Sequence, residues 1–301
     1  MKARLIIFAI SLVLLPLGGL LLGGREWTEL PVGVPAGPER IGAVLWATLM
    51  LFAGILLANY LIKRISGNSL LNMQRGYYMW MAAAGAILCW LLVYLGLFTD
   101  SWPGSGDALS AQLLLYTPLF ALLAPAVLII RALLGSFSGL LKWLARGLVL
   151  PVHGGESTGI FLVSVAVLGL LGGGAWPAQM DWLMWLSPLL LLTALQLLWN
   201  ESTIFSGLKS GDWGRVICAA LAGIIVGNLV SIIYHAGGGN QTFTLHNMPA
   251  QLGYMLFGLL CLQLGDVIAE NWRGKKRAGP FQKKKKFPIP VIVRPGGIKR
   301  D

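Results

Sequence analysis

Side chains able to do chemistry in an apolar setting are few in this chain, and the densest group follows one helical face. Asn228, Ser231 and His235 recur at spacings of three and four, which puts them on one side of an α-helix. Beside them Ala219, Gly223 and Gly227 repeat every four residues, and Ser231 continues that small-residue stripe. Two uses fit the pattern. One is a polar groove opening near His235; the other is a packing seam in which Asn228 and Ser231 bond to a neighbouring helix. The spacing of small residues favours the seam.

Other chemistry is thinner. His235, His246 and Met248 combine ligand types suited to copper, but at no characteristic spacing, and His153 is assigned to the opposite side. A b-type haem wants histidines within spans, and His235 is the one candidate. No metal or other cofactor is expected. Asp266 and Glu270 stand four apart, with Arg273 beyond, and read as an end-of-helix ion pair rather than a proton relay. The stretch GESTG from Gly155 matches GxSxG by letters, with His153 just before it. A nucleophile elbow needs a strand entering and a helix leaving, whereas here a helix-starting turn capped by Ser157 or Thr158 is expected. No GxxxxGK[ST] phosphate loop occurs.

The elements that must position these residues are membrane spans. Apolar residues make up 56% of the chain and charged residues 12%, about half the charge of a soluble domain. Apolar runs cover 5–22, 41–62, 77–98, 111–130, 158–175, 182–199, 216–235 and 251–270. Each approaches the ~20 residues that cross ~30 Å of hydrocarbon, and such continuous runs are helical rather than barrel strands. The fold class expected is therefore an all-α integral membrane bundle of about eight helices over residues 1–272. The first run has a basic start but no small-x-small cleavage site, and reads as a retained span. Cys89, Cys218 and Cys261 fall inside spans, outside any CxxC pair, and read as small buried apolar groups.

Basic residues set the orientation. With the N-terminus inside, Lys2, Arg4, Lys63, Arg64, Arg75, Arg131, Lys142, Arg146, Lys209 and Arg215 face the cytoplasm, against Arg25 and Arg40 outside. Both termini are thus expected in the cytoplasm, with the protein multi-pass in the cell inner membrane. The net charge of +11 is mostly of this kind and does not imply a nucleic-acid partner. Residues 273–301 form a basic, Pro-rich tail containing Lys283, Lys284, Lys285 and Lys286, expected to attract anionic lipid or to dock a partner. Lys142 and Arg146 with Trp143 fit a short helix lying in the interface over 140–148.

The even-numbered spans resemble one another. They start at Leu51, Leu119, Leu189 and Leu256, about 70 residues apart, and Gln196 aligns with Gln263. Odd spans are expected to leave the membrane at Gly23, Gly96, Gly172 to Gly174 and Gly237 to Gly239. Four stacked helical hairpins of one orientation would explain both habits. The first seven spans place no Asp, Glu, Lys or Arg at mid-depth, which argues against an ion-coupled transporter. The leading functional expectation is a non-catalytic subunit or scaffold of a larger membrane complex, contacting lipids and other membrane subunits. A transporter or flippase for a small neutral or lipidic substrate follows, and a lipid-acting enzyme comes third.

Overall fold

The structure is a computed structural model, and it describes residues 2–24, 38–67, 70–99, 109–150, 155–239 and 247–272. His153, His246 and the tail with Lys283 to Lys286 lie outside the described residues. Ten α-helices are described: α1 (Lys2–Leu22), α2 (Pro38–Ser66), α3 (Leu70–Met73), α4 (Arg75–Phe98), α5 (Leu109–Gly135), α6 (Ser138–Leu144), α7 (Glu156–Ala175), α8 (Pro177–Leu198), α9 (Gly214–Ala236) and α10 (Met248–Trp272). A 3-10 helix, Ile204–Ser210, precedes α9. No strand occurs among the described residues.

Eight of the helices, all but α3 and α6, are long and apolar enough to cross a membrane. A helix satisfies its own backbone N–H and C=O groups, so it is the element such runs adopt in hydrocarbon. The exterior agrees with that solvent. Leu114 is 80% exposed, and Leu49, Leu57, Met79 and Ile87 are each more than half exposed. Apolar surface on this scale is at home against lipid tails rather than water.

Three consecutive pairs pack as hairpins: α4 on α5, α7 on α8, and α9 on α10. The α7–α8 turn is the tightest, since Trp176 alone separates the helices and Pro177 opens α8, where its missing N–H is harmless. The first pair departs from the four-hairpin expectation. Helix α1 packs on α7, while α2 packs on α5 and α9. Backbone contact explains the exchange: a Cβ at Gly19 would collide with the Leu171 carbonyl, and one at Gly174 with the Pro16 carbonyl. Glycines there let α1 and α7 approach to backbone distance. Gly172, Gly173 and Gly174 are buried in the last turn of α7, where they form part of a helix seam as well as ending the span, and Gly96 lies in the last turn of α4.

Polar contacts gather at two levels of the bundle. At one end lie the start of α1, the ends of α2, α5, α8 and α10, and the start of α9. Helix α6 sits there too. Its following turn is tied to the segment before α9 by Gly147 N–H to the Gly211 carbonyl, 3.1 Å, and Trp213 Nε1 to the Leu148 carbonyl, 2.9 Å. Lys142 lies within α6, but the helix ends at Leu144 and Arg146 falls in the turn beyond it, so the expected interfacial segment is helical in its first half only.

Candidate functional site

The stripe read from the sequence faces α10. A Cβ on Gly223 would stand 2.8 Å from the Gly258 Cα and would collide with the Tyr254 carbonyl. Gly227 lies flat against the Tyr254 ring, and Ala219 is fully buried on the same side, its carbonyl meeting Gly258. Paired glycines on facing helices remove the side chains that would hold the axes apart, so dispersion contacts form between backbones.

Asn228 sits at the edge of this seam, and its amide is fully engaged. Its Nδ2 donates to Gln251 Oε1 at 2.7 Å and to the Ile224 carbonyl at 2.9 Å. Gln251 Nε2 donates back to Asn228 Oδ1 at 2.9 Å. Such a reciprocal amide pair satisfies both groups where lipid supplies no partner. Ser231 is buried one turn on, whereas His235 is exposed near the end of α9. The three residues follow one face of α9 but differ in exposure, from buried Ser231 to exposed His235. Gln251 completes the polar pair, and its spacing from any motif gave no hint of that role.

Two further polar groups emerge at the opposite end. Arg4, in the first turn of α1, is 2% exposed and donates through Nη1 to Glu201 Oε2, with its guanidinium 5.7 Å from the centre of the Trp199 ring. In the sequence Arg4 reads as one of the flanking basic charges. Deeper in, Gln263 Nε2 of α10 donates to Gln196 Oε1 and Thr193 Oγ1 of α8, each at 2.8 Å. Both glutamines are wholly buried. The Gln196 Nε2 and Gln263 Oε1 have no protein partner among the described residues. Exchanging O and N on both amides reverses the bond and still leaves one donor and one acceptor over.

Asp266 pairs across helices: Arg215 Nη2 of α9 donates to Asp266 Oδ2 at 2.5 Å. Glu270 and Arg273 carry no described side chains. The GESTG stretch opens α7 with Gly155 as the N-cap, so Ser157 stands exposed in the first helical turn and caps nothing. Helix α7 thus begins without the expected Ser157 or Thr158 cap, because Gly155 adopts the extended backbone that the capping position requires. Met248 opens α10 and is 75% exposed. Among the described residues no group of three His, Cys, Asp or Glu side chains stands close enough to hold a metal.

Eight apolar spans, a lipid-compatible exterior and interhelical amide pairs define a multi-pass helical membrane protein. Comparison with known protein families, curated proteins and solved structures finds no match to this chain.

Proposed function

We propose that this protein is a non-catalytic, multi-pass inner-membrane subunit or scaffold of a larger complex, with both termini in the cytoplasm. The observation carrying this reading is the closure of its most polar helix face. Asn228 is spent on Gln251, and Gly223 and Gly227 are filled by Gly258 and Tyr254 of the same chain. A conduit for a polar substrate would need those groups turned toward an aqueous path. Surface for partners remains elsewhere: Gly42 and Gly54 of α2 and Gly253 of α10 meet nothing within 4 Å. Bare helical backbone of that kind lets another helix close in.

The basic tail with Lys283 to Lys286 supplies the second contact, as a docking strand for a partner. Gentle detergent extraction followed by sizing tests the reading. The full chain should travel well above a detergent-bound 32.4 kDa monomer, and truncation after Asn271 should insert normally but lose its companions. A monodisperse monomer, or a truncated form that keeps every partner, defeats it.

One observation favours the transporter alternative. An apolar recess of about 330 Å³ lies between α1 and α4, lined by Leu5, Phe8, Ala9, Leu88, Leu91 and Leu264. It suits an acyl chain rather than a polar solute. Lipid scrambling by the purified protein in vesicles would favour that alternative over the scaffold.

A further inference from the structure

Helices α5, α9 and α10 bring three charged groups together at the basic end of the bundle. Arg131 lies one turn before α5 ends at Gly135, and Arg215 is the second residue of α9. Asp266 of α10 is within charge–charge reach of both guanidinium groups. Its carboxylate is already bonded to Arg215 at 2.5 Å. Arg131 makes no hydrogen bond and no contact ion pair with any described residue, although it is half-buried and faces the like charge of Arg215.

The charge balance of this corner is two cations to one anion among the described residues. Asp212, just before α9, is committed to the helix end, where its Oδ1 accepts from Gly214 N–H at 2.9 Å. Tyr77 and Tyr78 of α4 flank Arg131 and can add hydroxyl contacts but no negative charge. Burying a guanidinium against a second cation is unfavourable unless an anion joins them. Guanidinium binds phosphate through parallel N–H donors, and phosphates are the anions concentrated at the depth where transmembrane helices end.

We propose that Arg131 and Arg215 form a binding site for the phosphodiester of an anionic membrane phospholipid, held between α5, α9 and α10. One monoanionic phosphodiester neutralises the surplus cation. Its two non-ester oxygens fit the Arg131 fork, with Arg215 bridging to Asp266. The site stands apart from the recess between α1 and α4 and from the subunit reading, because lipid retention is measured on the isolated chain.

Native mass spectrometry of the full-length protein in detergent, titrated with phosphatidylglycerol, phosphatidylcholine or inorganic phosphate, provides the test. Phosphatidylglycerol should be retained about tenfold better than phosphatidylcholine and should raise the thermal unfolding midpoint, while inorganic phosphate should do neither. R131Q should remove most of that preference. R64Q, which alters a guanidinium at the same end whose hydrogen bond among the described residues goes to Tyr60 at 2.9 Å, should keep it. D266N raises the local positive charge and should tighten retention, a change that simple loss of packing cannot produce. Equal retention of the two lipids by the wild-type chain overturns the site, as does an undiminished preference in R131Q. Equal protection by inorganic phosphate overturns the assignment to lipid.

Discussion

Gln263 Nε2 donates to Gln196 Oε1 at 2.8 Å, and the two glutamines occupy corresponding places in two spans whose sequences resemble each other. The pair ties α10 to α8, and both side chains are wholly buried, so its polar atoms are withheld from lipid.

Removing one partner should hurt more than removing both. Gln263→Leu leaves the Gln196 amide buried without its described partner, at about 1–3 kcal/mol. The double change Q196L/Q263L leaves no orphan amide and should recover most of that loss. Thermal unfolding in detergent reads the difference, and a double variant as unstable as the two single losses combined would show that the amides stabilise for another reason.

The Arg4–Glu201 pair should behave in the same way at higher stakes, because its members are charged and almost fully buried. Arg4→Ala removes the cation paired with the buried Glu201 carboxylate, a class of change worth about 3–5 kcal/mol. Replacing both by Met and Leu should be far milder. A single R4A variant that unfolds at the wild-type temperature would place Arg4 in the head-group region instead.

The α9–α10 seam gives a steric prediction. Gly223→Leu drives a side chain into the Tyr254 carbonyl and the Gly258 backbone, so the helices must separate. The displacement also breaks the Asn228–Gln251 pair, whose hydrogen bonds are worth about 0.6 kcal/mol each by the membrane average. Gly54→Leu, where nothing lies within 4 Å, should leave the monomer's stability unchanged and should weaken association if α2 meets a partner there. Equal tolerance of both changes in unfolding assays would contradict the close approach.

Orientation is open to a direct readout. Reporter fusions after Gly67 and Gly207 should give a cytoplasmic signal, and fusions after Gly239 the opposite one. A cytoplasmic signal at Gly239 would invert the last hairpin and with it the placement of the tail.

The span count, the helical class and the small-residue face of α9 were readable from residue order, because each depends on local periodicity and on the length of apolar runs. The same local reading did not show what Gly172 to Gly174 pack against. Glycine at the end of an apolar run reads as an exit from the membrane, and these three, in the last turn of α7, are also buried where α7 meets α1 and α8. It also left Arg4 and Arg131 as flanking charges and passed over Glu201. Whether a flanking charge meets head groups or the core depends on which helix stands beside it, and that follows from packing between segments far apart in the chain. Arg4 and Glu201 are separated by 197 positions, and Asn228 finds Gln251 across the connection between α9 and α10. Hydropathy decides that a segment enters the bilayer, but lipid on every side gives no hydrophobic preference for one neighbour over another. Close backbone approach and complementary polar groups make that choice, so the pairing of α1 with α7 was settled in three dimensions alone.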